Sequence, residues 1–367
     1  MRGKYVAGDI GVMTILQVCA YAAPYEGNFI TSLKALAEKA EKLGHKTIYV
    51  FPETAKEKEW CQALMQKTDV YFLPLGKARI KPATYTKLRK IYKAHPDLGI
   101  IHCHFELYDI PVVVTAKKNV RVFWHLHDAI GNMRGGHNRL MHKIQYGWLH
   151  KKAVLLSVSE KHKDYAVKLG FPSTQAYYIP NGLNTDSIKK VDTAYGDRVN
   201  DFLMFGWHHK IKGVDLCVQA QQNLGNKYKV SIVGKNDTAD LIREEFGKVE
   251  NISIIEPVTN VNELYNETKC FLHISRAEGL SYALLEAIYA GLPILCSNIK
   301  ENMFADIFPT VTMVESENVQ SIAEGMQRAM DKGAPTIEEI AEARGIIDER
   351  YSIACWTNTI IKSYGID

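Results

Sequence analysis

The chain has 367 residues, 46% hydrophobic and 23% charged, with 45 Lys and Arg against 41 Asp and Glu and a formal net charge of +4. That length exceeds one ordinary core and fits two domains, and the composition excludes a disordered or fibrous chain. No apolar run approaches the roughly 18–20 residues of a membrane span, and no two of the 7 cysteines form a Cys-x-x-Cys pair, so the thiols are expected to be reduced and mostly buried in a cytoplasmic protein.

The modest net charge hides an asymmetry. Residues 1–190 hold 29 Lys and Arg and 15 Asp and Glu, a balance of +14, whereas residues 191–367 hold 16 and 26, a balance of −10. A basic first half points to an anionic partner. A membrane surface or a lipid diphosphate fits better than nucleic acid, for which no recognition motif is present.

Residues 1–12 read as a short extension. Arg2 and Lys4 before an apolar stretch imitate a signal peptide, but Asp9 and Gln17 interrupt it. Strand patterns follow at 13–19, 47–51, 70–73, 99–102, 120–124, 154–158 and 176–179, with helices at 29–43, 83–94 and 160–169. The turn-rich segment Pro180-Asn-Gly-Leu-Asn184 breaks the alternation. It restarts with strands at 201–205, 229–234, 252–255, 270–274 and 293–296 and helices at 213–223, 238–247 and 261–266. A last helix, with Trp356, is expected over 351–364. Strands alternating with helices mean parallel, doubly wound sheets, here two of them. The absence of Gly-x-Gly-x-x-Gly argues against a dehydrogenase.

The richest stretch runs from Ser275 to Ser297 and reads strand, turn, helix, turn, strand. Gly279 marks the start of its helix, expected near Leu280, and Gly291 marks the end. The helix start, with Ser281 and Tyr282, offers backbone N–H groups suited to a phosphate. Glu286 lies one and a half turns in, within reach of a ribose beside that phosphate. Glu278, with seven residues between it and Glu286, lies in the loop nearer a sugar. A basic segment, Gly206-Trp-His-His-Lys-Ile-Lys-Gly213, precedes another helix. His127 ends the strand 120–124 and its extension, where ligands of parallel sheets bind, and His125 is its rival on the same strand face. His102-Cys103-His104 alternates across a strand, so the three do not converge on a metal and no metal site is expected.

Taken in order, these segments resemble the retaining glycosyltransferases of family 4. The likeness runs from about residue 13 to about 364. It includes the loop 21–29, His127-Asp128, Val158-Ser159, Ile179-Pro-Asn-Gly182, Gly206 to Gly213, the two-glutamate segment and Gly291-Leu-Pro293. The resemblance implies the α/β GT-B fold, two Rossmann-like parallel-sheet domains facing a cleft. The basic 1–183 would bind acceptor, 184–349 would bind the nucleotide sugar, and 350–367 would form a helix crossing back to the first domain.

The implied reaction moves a sugar, with retention, from a nucleotide-diphosphate sugar to a saccharide or lipid-diphosphate-linked acceptor in polysaccharide or glycoconjugate synthesis. UDP is favoured over GDP, no metal or other cofactor is needed, and the enzyme works at the inner face of the membrane. By the same resemblance His127 and Glu278 are catalytic. Lys212 is the main phosphate ligand, and Gly279, Leu280, Ser281, Tyr282, Glu286 and Gly27 complete the donor site. The family's arginine, five positions before that lysine, is Trp207 here; His208, His209 or Lys210 would supply the missing charge.

Lys77, Arg79, Lys81, Lys87, Arg89, Lys90 and Lys93 form an acid-free basic run interleaved with Tyr85, Leu88, Ile91 and Tyr92. It is assigned to the acceptor or membrane side, although an ordinary helix with its apolar face on its own sheet reads the same way. Gly234 and Lys235 border the expected base pocket. Two rivals stay open: a non-catalytic partner subunit, which Trp207 favours, and a GT-B sugar-nucleotide epimerase.

Overall fold

The computed structural model describes residues 11–127, 136–234, 237–258 and 260–367, with the backbone alone at 136–139 and 151–152. Asp128, Lys235 and most of the N-terminal extension lie outside the described residues. The chain divides into two compact units, Met1–Gly182 with Ile353–Asp367, and Leu183–Ser352.

The first unit holds a seven-stranded parallel sheet: β1 (Thr14–Cys19), β2 (Lys46–Pro52), β3 (Val70–Leu73), β4 (Leu98–His104), β5 (Arg121–Leu126), β6 (Ala153–Ser157) and β7 (Ala176–Tyr178). Their order is β3-β2-β1-β4-β5-β6-β7. The chain winds outward from β1 to β3, returns beside β1 as β4, and winds the other way. Right-handed crossovers therefore send the two runs of helices to opposite faces. Leu88, Ile91 and Tyr92 of the Pro82–Ala94 helix join Val112, Val113, Tyr146 and Ala166 on one face, against Leu16, Ile101 and Trp124. On the other face lie the Gly27–Lys42 helix and the C-terminal helix Ile353–Tyr364. Trp356, Ile360, Ile361 and Tyr364 pack there on Ile15, Ile100 and Phe123. Burial on both faces explains why these strands read as continuous apolar runs.

The second unit repeats the scheme with six parallel strands: β8 (Asn200–Phe205), β9 (Val230–Val233), β10 (Ile252–Ile255), β11 (Thr268–His273), β12 (Ile294–Ser297) and β13 (Val311–Val314), in the order β10-β9-β8-β11-β12-β13. The two-sheet α/β architecture expected from the alternation is present. The structure adds elements not named from the sequence, among them β13 and the helices Val319–Lys332 and Ile337–Arg350, the latter opened by a Thr336–Glu339 capping box. Each sheet reverses its strand order once, between β1 and β4 and between β8 and β11. Those are the positions where ligands of such sheets bind.

Gly182 belongs to the packing of the C-terminal helix. A Cβ there would lie 2.7 Å from Trp356 Cβ and 3.0 Å from Ile353 Cα. Gly182→Ala is therefore expected to destabilise the protein by about 1–3 kcal/mol. Gly345→Ala, in a helix with open space around it, is expected to stabilise by roughly 0.5–1 kcal/mol. Urea unfolding of the two variants checks the opposite signs.

Candidate active site

β8 and β11 are neighbours, so the loops at their C-terminal ends leave side by side. Gly213 lets those loops meet. Its φ is 74°, and a Cβ would lie 2.4 Å from the Ile274 carbonyl oxygen. The Arg276 backbone N–H donates to the Ile211 carbonyl at 2.7 Å, and its guanidinium grips Asp215 through bonds of 2.7 and 3.0 Å. Across this junction Lys212 Nζ reaches Glu278 Oε1 at 2.6 Å.

Glu278 is only 8% exposed, and His273 Nε2 lies 3.5 Å from the same oxygen. Burial raises the Glu278 carboxyl pKa, His273 and Lys212 lower it, and the balance holds it below the usual carboxylate range. Burial also brings His273 down to about 4, so this ring is neutral at physiological pH. Glu278 is thus an ionised, water-poor carboxylate whose charge is balanced chiefly by Lys212.

The helix after Glu278 spans Tyr282–Ala290. It begins two residues later than expected because Ser281 caps it, its hydroxyl accepting the Leu284 N–H at 3.4 Å. Gly279 and Leu280 precede the cap, and Tyr282 is the first helical residue. Glu286 lies one turn beyond Tyr282, half-buried. The hydroxyl of the buried Tyr265 donates to Glu286 Oε2 at 3.4 Å. At the far end Gly291 takes φ 99°, and Arg344 donates to the carbonyls of Tyr289 and Ala290 at 2.7 and 3.0 Å.

The residues proposed to replace the charge missing at Trp207 are less available than expected. Lys210 is held by Asp215 at 3.1 Å and Glu245 at 2.5 Å, so two carboxylates already balance it. His209 faces Glu245 at 3.5 Å. His208 is exposed just before the one-turn helix His209–Lys212. Sequence reasoning missed Arg276, Asp215, His273 and Tyr265. Arg276 meets Asp215 61 residues away and Tyr265 meets Glu286 21 residues away, pairings that only the strand order could have revealed, whereas His273 lies close to Glu278 in sequence and carried no motif of its own.

In the first unit Gly27 opens the Gly27–Lys42 helix with φ 59°, below the hydroxyl of Tyr21, which donates to the carbonyls of Tyr25 and Glu26. Two residues on, the Phe29 ring lies 4.8 Å from Phe105 and 5.3 Å from His127, which joins the Gly27 loop to the end of β5. His127 is half-buried, and both ring nitrogens are engaged. Nε2 meets His104 Nδ1 at 2.9 Å and Nδ1 meets Asn181 Oδ1 at 3.3 Å. Burial lowers its pKa to about 4, although Asn181 acts in the opposite direction. His125 is fully buried behind it, which leaves His127 as the ring at the strand end. The basic helix Pro82–Ala94 buries Leu88, Ile91 and Tyr92 in its own core, so it has no apolar edge for lipid. Lys87 pairs with Glu53 at 2.8 Å and Arg79 donates to the Glu106 carbonyl, while Lys77, Lys81, Arg89, Lys90 and Lys93 are exposed.

Removing the cation from the Glu278 pair tests its electrostatics. Lys212→Met is expected to destabilise by about 3 kcal/mol at pH 7.5. The pair's contribution is present above the ordinary Glu pKa and is lost as pH falls through the lower native value. The deficit of the variant should therefore shrink toward pH 4, as paired melting curves would reveal.

Two family descriptions match the chain: Glycosyltransferase Family 4 over residues 31–187 and Glycosyl transferases group 1 over residues 200–332. An uncharacterized glycosyltransferase of Methanocaldococcus jannaschii is 22% identical over 246 residues, which cover 60% of this chain and 60% of that relative. A glycosyltransferase from Rickettsia africae superposes with a TM-score of 0.79 at 15% identity, covering 97% of this chain and 99% of that one. HepE of Anabaena, solved in complex with UDP, superposes with a TM-score of 0.77 at 13% identity over 96% and 100% of the two chains. The first unit thus carries a glycosyltransferase family 4 domain and the second a group 1 glycosyl transferase domain, together on the two-domain GT-B fold of glycosyltransferases.

Proposed function

We propose that the protein transfers a sugar, with retention of configuration, from a nucleotide-diphosphate sugar to a saccharide or lipid-diphosphate-linked acceptor. The observation that carries this reading is the buried, ionised Glu278, tied to Lys212 directly before the Ser281-capped helix. Loss of a nucleoside diphosphate builds negative charge on the leaving oxygen, which preorganised cations and helix N–H groups stabilise. Lys212 and the first turn of the Tyr282–Ala290 helix are such groups, and Glu286 is set to accept from a ribose hydroxyl. Glu278 would orient Lys212 and the transferred sugar, and His127 would line the sugar side. Neither role needs a metal. UDP is preferred over GDP as the nucleotide, in line with the UDP complex of HepE. A non-catalytic subunit and an epimerase are not favoured, since both matching families and the named relatives are glycosyltransferases.

The acceptor reading places the first unit against an anionic membrane at its inner face, in glycoconjugate synthesis. On the helix Gly136–Gly147 and the residue after it, Leu140, Ile144 and Trp148 share one face at four-residue spacing. They are 56%, 38% and 78% exposed. Lys143 is exposed between them, and Val114, Lys117, Lys118, Arg89, Lys90 and Lys93 are exposed on the helices and turns of the same layer. An aromatic-aliphatic stripe among lysines suits a headgroup region. Among the described residues no helix is long and apolar enough to cross a membrane. The seven cysteines are all free, which fits a reducing compartment.

Two measurements test these assignments. UDP-sugars should raise the melting temperature of the parent more than GDP-, ADP- or dTDP-sugars. Glu286→Ala should weaken that binding roughly tenfold or more; unchanged affinity would remove the ribose role. Trp148→Ser combined with Ile144→Ser should lower co-sedimentation with vesicles of anionic phospholipid while leaving transfer to a soluble saccharide intact.

A further inference from the structure

His127 is one end of a ladder of imidazoles. Strand alternation puts His102 and His104 on one face of β4, and the parallel register sets His104 beside His125 of β5, with Gln17 of β1 beside His102. The rings stack: His102 lies 5.2 Å from His125 with planes 2° apart, and His125 lies 4.1 Å from His127. From Asn181 the contacts run to His127 Nδ1, from His127 Nε2 to His104 Nδ1 at 2.9 Å, and from His104 Nε2 to the Gln17 carboxamide at 3.0 Å. They continue from Gln17 to Tyr364 Oη at 3.1 Å, from Tyr364 to His102 Nδ1 at 2.6 Å, and from His102 Nε2 to His125 Nδ1 at 3.2 Å. His102, His104, His125, Gln17 and Tyr364 are all buried, and among the ring nitrogens of this network His125 Nε2 alone has no partner.

Counting protons constrains this network. A neutral imidazole owns one N–H, and each nitrogen–nitrogen contact needs one proton between the two atoms. The three contacts from Asn181 Oδ1 to Gln17 Oε1 would need three protons, but two neutral rings own two. A third proton would place a cation in a pocket where burial depresses every histidine pKa. Burial raises the pKa values of Cys19, Tyr49 and Tyr364, which interact there, so all three stay neutral and offer no counter-charge. Turning over the Asn181 carboxamide would remove the deficit with every bond reversed, but it would leave His125 Nε2–H buried without an acceptor. Turning over the Gln17 carboxamide, whose two ends have the same shape, removes the deficit without that cost. Its NH2 then donates to His104 Nε2 and its oxygen accepts from the Tyr364 hydroxyl. The same hydroxyl accepts from His102 Nδ1–H, and His125 Nδ1–H donates to His102 Nε2. The nitrogen left over, His125 Nε2, carries a lone pair and no proton, which is the cheaper group to bury unpaired.

We infer that this ladder is a neutral, one-directional hydrogen-bond chain that locks His127 as its Nδ1–H tautomer, with Gln17, His104 and Tyr364 as positioning residues. His127 then presents its ring edge to a sugar and exchanges no proton with it. The inference rests on the reading of His127 as part of the transfer site. A transition metal is the competing occupant, since nitrogens of His102, His104 and His125 lie within 4.8 Å of one another. Against it, none of the seven residues from Asn181 to His125 is a carboxylate, and every imidazole nitrogen among them but one is already bonded.

The test is nitrogen NMR of the full-length protein labelled in its histidines, with and without zinc. The expected result at pH 7.5 is four neutral rings, with His127 protonated on Nδ1 and unchanged down to pH 5.5. A His127 that is cationic, or protonated on Nε2, overturns the inference, as does a rise in melting temperature with zinc. Tyr364→Phe should shift the His127 tautomer signals and lower kcat roughly tenfold with KM for the donor little changed. Unmoved tautomer signals in that variant would reduce Tyr364 to a packing residue. The tautomer measurement needs no donor, so failure of the ladder is distinguishable from failure of the transferase reading.

Discussion

Gly213 sets the closest approach in the second unit, and the candidate site follows from it. A side chain there would collide with the Ile274 carbonyl, so only glycine lets the loop after β8 rest on the loop after β11. Once the backbones touch, a short-range set of charges becomes available: Arg276 to Asp215, Lys210 to Asp215, and Lys212 to Glu278. The outer pairs fix the loops. The inner pair faces the capped helix. Asp215 stays ionised despite its burial because Arg276 and Lys210 outweigh the desolvation.

The inner pair carries a cost in stability. Burying a carboxylate costs several kcal/mol even after relaxation, and one ammonium offsets that only with good geometry. A 2.6 Å contact is good geometry, yet an apolar pair of the same volume would stabilise the fold at least as well. A buried ion pair beside a helix N-terminus is better understood as a poised charge than as a structural rivet. Under the proposed transfer reading, Lys212 would share its charge with a bound anion with little reorganisation.

Much of the fold was legible because its signals are local. Alternating strands and helices, the break near Pro180, and the glycines flanking the Glu278–Glu286 segment depend on near neighbours in sequence. The resemblance to family 4 drew on the same segments. What could not be read depends on which strands lie side by side. Strand alternation turns Cys103 to the face opposite His102 and His104, as the sequence implies. Their actual neighbour, His125, is 21 residues beyond His104 and arrives only through the β4–β5 register. The helix start slipped from Leu280 to Tyr282 because a serine cap outcompeted the glycine before it. The basic helix at 82–94 carried an ambiguous apolar face, and packing on its own sheet claimed it.

The C-terminal helix has a consequence for biosynthesis. Gln17 and Tyr364 touch across 347 residues of chain. The first unit is therefore discontinuous, and one face of its sheet is covered by the Gly27–Lys42 helix alone until Ile353–Tyr364 has been synthesised. At typical elongation rates that interval lasts on the order of tens of seconds. The second unit, contiguous from Leu183 to Ser352, is free to close in the meantime. During this time Ile15, Ile100 and Phe123 wait for Trp356, Ile360 and Tyr364. The half-covered face is a natural substrate for chaperones, and a chain truncated before Ile353 would leave Ile15, Ile100 and Phe123 without that cover permanently.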